Sequence, residues 1–584
     1  MSRFLFRYLL LIVVTIGLVA FQSVINLYLP DLMSDIVDKG VVRGDTAYIW
    51  QVGRKMLLYS FLAITASILA SYTSSVVSMG VGRDLREAMF SKIMSFSMEE
   101  INKFSPSSLL TRTTNDVVQI QQALVMVLRM VVMAPVMAVG SIIMAVQKDA
   151  KLTGVLFISI PVMLGGLGVI AGFAIPWFKS LQRKIDNLNT VVRERITGIR
   201  VIRAFNKEDR EIERFSSVNT DLVRTALKIN RIAAFLFPYM MIVMNYTMIF
   251  IIWFGAKQID AGKLQVGQMM AIMQYAMQTM FSFIMISVIF IFLPRASVSA
   301  RRIKEVLSVE PKVKEGERAT PTWYESGRKE MLEAGLVEFE NVSFIYPGAA
   351  EPVLKDISFC AQPGKVTAII GATGSGKTTL LNLIPRLYDV SSGSVKIDGV
   401  DVKEIPFSVL RRSIGYATQR AYVFSGTIRE NIRFGREWVT DEMVERAAQI
   451  AQVMEFAEKY PEKLDHYLEQ AGVNLSGGQK QRISIARAVA GQPKIYLFDD
   501  TFSALDFKTD AKIRLRLFNE IKDATVIVVA QRVATIMHAD QIIVLHNGKI
   551  VGIGKHRDLL ENCEIYRDIV ISQLDVEEFE AQGR

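Results

Sequence analysis

Along the first half of the chain hydrophobic residues run in long blocks, and along the second half they alternate with polar ones at short range. A helix needs about 20 mostly apolar residues to cross the hydrocarbon of a bilayer. Six stretches reach that length: 6–30, 56–80, 122–147, 152–178, 232–256 and 269–293. Their even number predicts that both ends of this region lie on one side. The links at 148–151 and 257–268 are short, and 31–55 is the longest segment on that outer side. The two inner connections are long, polar and rich in helix-forming residues. Connections of that length carry structure of their own, so spans two to five are expected to continue as helices beyond the membrane, with tips near 97–108 and 205–215.

After residue 335 the pattern changes. LVEFENVSF (336–344) alternates as a strand, VTAII (366–370) is a short buried strand, and helical and strand segments then follow in turn. That is the organisation of an α/β domain. The segment 311–335 is charged, broken by Pro and Gly, and without period, as in a linker. The expected architecture is an all-α, six-helix transmembrane domain over 1–310, a linker over 311–335 and an α/β domain over 336–584.

Composition changes this picture in few places. The formal charge of +10 invites a nucleic-acid partner, but thirteen Lys and Arg fall between Lys179 and Arg231, while 148–151 and 256–266 hold two Lys each. Short cytoplasmic loops carry such an excess, and six spans exclude a nucleic-acid enzyme. The two cysteines, Cys360 and Cys563, lie too far apart to suggest a disulfide or metal framework. The first apolar block is too long for a cleavable leader and lacks a small-residue cleavage site, so it is read as a span. Arg129 is a charge within the third block. It precedes Gln147 by 18 residues, about 27 Å of helix, which places it near the inner headgroups where it can snorkel.

Spans five and six hold ten of the 27 methionines, interleaved with aromatics. Such surfaces repack around apolar ligands of different shape. Asn245, Gln274 and Gln278 are the polar positions there expected to face a cavity, because polar groups avoid lipid.

The α/β segment carries the chemistry. GATGSGKT, Gly371 to Thr378, follows an apolar strand and precedes the helical run TLLNLIPRL. In that context Gly-x-x-x-x-Gly-Lys-Thr is a phosphate-binding loop: its glycines let backbone N–H groups converge on phosphate oxygens at a helix start. Gly371, Thr373, Gly374, Ser375, Gly376, Lys377, Thr378 and Thr379 form the expected nucleotide-binding set, with Lys377 on the β- and γ-phosphates and Thr378 on Mg²⁺. IYLFDD, 495–500, is a buried strand that delivers Asp499 to the same metal.

LSGGQKQR, Leu475 to Arg482, is a second Gly-rich stretch, without a Lys of the phosphate-loop kind. With GATGSGKT and LFDD it resembles the signature of the ATP-binding cassette (ABC) family. The resemblance covers the chain: six spans, long inner connections and one C-terminal cassette look like an exporter-type half-transporter. It implies that two cassettes pair head to tail. Each ATP is then held between one chain's phosphate loop and the signature of the other, here Leu475, Ser476, Gly477, Gly478 and Gln479. It further implies that Tyr346 stacks on adenine, that Gln419 senses the γ-phosphate and Mg²⁺, and that Ser503 and Asp506 of SALD lie on a loop crossing the dimer interface.

The departures from the family pattern point one way. Asp500 stands where the family has its catalytic Glu, Gln531 where it has a switch His, and Gln470 where exporters usually carry Glu. Asp is one methylene shorter than Glu. A misplacement of about 1 Å can cost roughly 100-fold in rate, and Gln cannot carry a proton as His can. The expectation is a chain whose own site binds ATP and hydrolyses it slowly, while its signature completes a competent site on another chain. This pattern resembles the degenerate-site subunit of bacterial heterodimeric multidrug exporters, in the cytoplasmic membrane, with the cassette and both termini cytosolic. The expected cargo is small hydrophobic compounds met among membrane lipids. A homodimeric lipid or peptide exporter, or an ATP-gated regulatory or channel subunit, are the open alternatives.

Overall fold

In a computed structural model of the chain, residues 2–315 and 332–573 are described. Most of the expected linker, 316–331, lies outside them. The described residues form two compact units. Unit 1 comprises residues up to Met94 together with Ser107–Val309, and unit 2 comprises Ser95–Pro106 with the residues from Glu310 onward.

Unit 1 is helical because hydrocarbon leaves backbone polar groups no partner outside their own segment. It contains α1 (Ser2–Phe6), α2 (Leu9–Asp35), α3 (Thr46–Met94), α5 (Pro106–Thr113), α6 (Asn115–Met126), α7 (Val132–Lys148), α8 (Ala150–Ala204), α9 (Glu208–Ala234), α10 (Leu236–Asp260) and α11 (Val266–Ser308). Six helical stretches among the described residues are long and apolar enough to cross a membrane, at the positions the hydropathy pattern predicts. The 55 residues of α8 extend about 80 Å at about 1.5 Å per residue, against a hydrocarbon core of about 30 Å. The inner connections are therefore continuations of the spanning helices, as the composition suggested.

Packing between these helices uses small residues and paired hydroxyls, since lipid supplies no hydrophobic drive between apolar helices. Thr15 Oγ1 donates to Thr73 Oγ1 at 2.8 Å, Thr247 Oγ1 donates to Ser159 Oγ at 2.8 Å, and Ser141 Oγ lies 2.7 Å from Thr279 Oγ1. These contacts tie α2 to α3, α8 to α10 and α7 to α11. After α2 the chain passes through a π-helical turn, Ile36–Val41. There the buried Asp38 accepts from Gly267 N at 2.6 Å and from Ser34 Oγ at 3.2 Å. A carboxylate at the start of α11 also meets the positive end of the helix dipole.

Unit 2 holds two principal sheets. An antiparallel one runs β2–β1–β4–β5, made from β1 (Val337–Phe344), β2 (Leu354–Ala361), β4 (Ser392–Ile397) and β5 (Val400–Asp401). The other runs β12–β11–β3–β10–β9–β6, from β3 (Val366–Gly371), β6 (Ile414–Ala417), β9 (Ile495–Asp499), β10 (Thr525–Val529), β11 (Gln541–His546) and β12 (Lys549–Gly554). Its five strands from β11 to β6 are parallel, and β12 is an antiparallel edge. A two-stranded ribbon pairs β7 (Gly426–Thr427) with β8 (Tyr467–Leu468). Every residue of β9 and β10 is buried, as expected of parallel strands covered on both faces.

Residues 95–106 fall inside the range read as the membrane domain, yet they pack as part of unit 2. Here α4 (Met98–Phe104) is capped by Ser97, whose N–H donates to Glu100 Oε2 at 2.9 Å. Glu100 Oε1 accepts from Lys312 N at 3.2 Å, and Asn102 Nδ2 donates to Tyr388 Oη at 3.1 Å. Burial pushes the Glu100 carboxyl up, but these hydrogen bonds win and hold it below its ordinary value. The first connection's tip thus has specific partners. The second tip, 205–215, belongs to unit 1 and exposes Phe205, Ile212 and Phe215.

The Asp38 contact gives a direct test. Asp38→Ala strands the Gly267 N–H without its acceptor, and an orphaned buried donor costs about 1–3 kcal/mol. Thermal unfolding in detergent is expected to shift to lower temperature, while Asp38→Asn, which keeps an acceptor oxygen, recovers most of the loss.

Candidate active site

Strand order alone assembles this site. The neighbouring parallel strands β3, β10, β9 and β6 end on the same edge, the position where open α/β sheets bind ligands. The loop after β3 is Gly371–Gly376, β10 leads into Gln531, β9 ends at Asp499 and Asp500, and β6 is followed by Gln419. In register, Asp499 pairs with Val529 and Val529 with Ile369. Four sequence-distant signals thus stand in a row, with Asp500 between Gln531 and Gln419.

The phosphate loop is bent by glycines. Gly374 and Gly376 have φ of +83° and +101°, which L side chains rarely adopt. A Cβ on Gly376 would also come 2.7 Å from a Leu354 methyl. Lys377 opens the helix Lys377–Leu383, and its Nζ donates to Gly371 O and Ala372 O, both at 2.8 Å. Desolvation lowers its pKa, with Asp500 and Asp499 opposing the shift. Its hydrogen-bond partners are neutral, two carbonyls and the Ser375 hydroxyl, so its positive charge is left to an anion. Thr378 Oγ1 donates to Asp499 Oδ1 at 3.0 Å. A hydroxyl and a carboxylate converging beside a phosphate loop are the hard oxygen donors that Mg²⁺ takes. The residues present therefore fit ATP with Mg²⁺.

Asp500 is unusual in conformation and in company. Its φ is +48°, a left-handed value that Asp tolerates better than most residues. Its Oδ2 accepts from Gln531 Nε2 at 2.9 Å and from Gln419 Nε2 at 3.4 Å. Ser503 Oγ donates to the Asp500 carbonyl at 2.8 Å. Both neighbouring acids are raised above the usual carboxylate value, chiefly by burial; hydrogen bonds and Lys377 oppose the shift in each, and the Asp500 charge adds to it at Asp499.

These groups line a cavity of about 350 Å³ that includes Tyr346, Thr373, Gly374, Thr379 and both acids. Tyr346 Oη lies 3.0 Å from Thr379 Oγ1, and its ring meets Tyr388 edge to face with centroids 5.4 Å apart. Gly371 and Ser375 support the cavity from behind through Lys377. Tyr388 belongs to none of the sequence motifs. It joins Tyr346 to Asn102 of α4, and its signal was an aromatic eleven residues after Lys377 in IPRLYD.

The signature residues do not line this cavity. Ser476 caps the helix Gly477–Ala490 in a reciprocal box with Gln479: Ser476 N donates to Gln479 Oε1 at 2.8 Å. Leu475 is buried beneath them, and a Cβ on Gly477 would meet nothing within 4 Å. Asp506 is exposed and caps the helix Phe507–Glu520 through Thr509 N at 3.0 Å. In unit 1, Asn245 is exposed and Gln274 half-buried, while Gln278 Nε2 donates to Asn26 O at 3.4 Å and its Oε1 is buried without a partner.

A membrane unit of six spanning helices joined to a phosphate-loop ATPase sheet defines an ATP-dependent transporter. The chain belongs to the ABC transporter family. The ABC transporter transmembrane region matches residues 10–283 and the ABC transporter ATPase model matches 354–503. An uncharacterised ABC transporter ATP-binding protein of Mycobacterium tuberculosis is 43% identical over 555 residues, covering 94% of each chain. The uncharacterised YfiB of Bacillus subtilis is 38% identical over 570 residues, 98% of this chain and 97% of its own. An ATP-dependent lipid A-core flippase of Desulfotalea psychrophila is 31% identical, with 91% of each chain covered. In fold the chain is similar to a bacterial Atm1-family ABC exporter with ATP bound, at a TM-score of 0.79 and 23% identity, over 97% of this chain and 99% of that one. It is a multi-pass membrane protein, and a cytoplasmic position for the ATPase domain follows from the fold.

The raised acids have a pH consequence. A carboxyl whose folded value lies above its unfolded one favours the protonated fold, so its contribution to stability is lost as pH rises through the carboxylate range. Asp500→Asn removes the charge and suits a left-handed φ. It is expected to raise the melting temperature of the nucleotide-free protein at pH 7, by roughly 2–4 °C per kcal/mol for a domain of this size. The gain should shrink as pH falls toward 4; thermal melts across pH 4–8 read it.

Proposed function

We propose that the chain is one half of an ABC exporter heterodimer, moving hydrophobic or amphipathic compounds out across a bacterial cytoplasmic membrane, with a nucleotide site that binds ATP and hydrolyses it slowly. The observation that carries the reading is the Asp500 carboxylate, one methylene short and hydrogen-bonded to two neutral amides. Hydrolysis of this kind is almost entirely positioning and electrostatics. An acid drawn onto Gln531 and Gln419 is poorly placed to orient a water, and neither amide can gain a proton in return.

ATP supplies the binding energy and the phosphoanhydride. In this reading Lys377 and the loop amides hold the phosphates, Thr378, Gln419 and Asp499 hold Mg²⁺, and Tyr346 stacks on the base. Leu475 to Gln479 complete the ATP site of the second half-transporter, and Ser503 and Asp506 lie along the contact. Asn245, Gln274 and Gln278 are the polar cavity candidates of the spans. A homodimeric lipid exporter is the second reading, favoured by the likeness to a protein named as a lipid A-core flippase.

Magnesium-dependent ATP turnover of the chain alone in nanodiscs separates the two, after ATP binding has been checked. The proposal expects tight binding with turnover well under about 1 s⁻¹, the low end of ordinary enzymes. Asp500→Glu with Gln531→His should then raise it by up to about 100-fold, the scale of a 1 Å repositioning. Turnover of the unaltered chain at about 1 s⁻¹ or faster would favour the homodimer.

A further inference from the structure

Arg129, read above as a snorkelling residue, also takes part in a cavity. It lies half-buried in the wall of a second cavity, of about 520 Å³, between α3, α6, α7 and α11. That volume is within the roughly 300–1,000 Å³ of small-molecule sites. The lining mixes two chemistries. Ser78, Gln121, Gln122 and Arg129 supply polar groups, and Met126, Met130 and Met133 supply apolar ones.

Two of the polar residues are built into the helix packing. Ser78 is fully buried and donates to the Gln121 carbonyl at 2.7 Å. Gln121 is 6% exposed, and its Nε2 reaches only the Met79 sulfur, at 3.3 Å. A sulfur is a weak acceptor for a buried amide. A Cβ on Gly82 would sit 2.1 Å from that Nε2, so glycine is what lets the amide lie against α3. The Arg129 Nη1 contacts Ser71 Oγ at 3.4 Å, and no carboxylate pairs with it among the described residues. Intramembrane charges normally pair or serve function.

The backbone at this point is also displaced. Residues Val127–Val131 form a π turn, and Pro135 follows inside α7. In an α-helix the Val131 carbonyl would accept from the N–H of residue 135, which proline lacks. The lost bond accounts for a local rewinding, and π turns recur at functional sites.

We propose that this cavity binds an anionic amphipath, its phosphate- or carboxylate-type headgroup on Arg129 and the Gln121 amide and its alkyl chain along the methionines. Met side chains adapt to chains of different length, and a guanidinium grips such headgroups through paired N–H donors. As a substrate class this rests on the export reading above and narrows it. As a binding site it needs no turnover, so the two can fail separately.

The full chain in phosphatidylcholine nanodiscs, without ATP, is photolabelled with a diazirine-bearing dodecyl phosphate, and the adducts are mapped by mass spectrometry. Labelling is expected on peptides containing residues 78–79 and 121–133. Unlabelled dodecyl phosphate should displace it at concentrations at least tenfold below those needed of dodecyltrimethylammonium. Arg129→Gln should cut labelling about tenfold or more and Arg129→Lys much less, both with nucleotide binding retained as proof of folding. Equal displacement by the cation, adducts elsewhere, or unchanged labelling in Arg129→Gln would overturn the proposal, and the cation arm needs no variant. Phosphatidylglycerol added to the nanodiscs identifies the source. Loss of labelling marks the site as held by bilayer lipid, and persistence marks it as open to a free solute; either outcome upholds the anion site.

Discussion

The parallel order β3–β10–β9–β6 is the constraint on which the chemistry of this protein depends. Parallel strands need crossovers, so their carboxyl ends gather on one edge and bring together residues that are remote in sequence. Lys377, Asp500 and Gln531 span more than 150 positions of the chain, yet they line one cavity. Full burial of β9 and β10 holds that edge in place, because sliding either strand along its neighbours would carry buried apolar residues out past the end of the covered sheet. The two-amide contact of Asp500 follows from the same order: Gln531 follows the strand on one side of it and Gln419 the strand on the other.

In the membrane unit the corresponding constraint is satisfaction of the backbone. It makes the spans helical, and it makes their extension beyond the bilayer inexpensive, since a helix already under way needs no new nucleus. It also explains why exceptions are local. The π turn at 127–131 precedes a proline that withholds a ladder donor, and the one at 36–41 carries the buried Asp38.

The first inner connection joins the ATPase unit through α4. Its glutamates meet Lys312 and Asn102 meets Tyr388, and Tyr388 carries that contact to the ring of Tyr346. Adenine stacked on Tyr346 would therefore bear on the same aromatic group that holds the connection between two membrane helices. None of this was visible as a motif, because Asn102 and Tyr388 are ordinary residue types whose meaning is their proximity across 286 positions.

The sequence by itself determined the six spans, the inner extensions, the phosphate loop and the chemical oddity at 500 and 531. Each is written in local pattern: run length, helix-forming composition, glycine spacing, or one residue in place of another. Tertiary structure alone decided that Gln531 and Gln419 both turn their amides onto Asp500, and that residues 95–106 belong with the ATPase unit. It alone placed Arg129 in a cavity with Gln121. Those are through-space relations between side chains on different elements, fixed by strand order, by a glycine that leaves room and by a proline that withholds a donor. A one-dimensional pattern holds the parts of such contacts but not their distances.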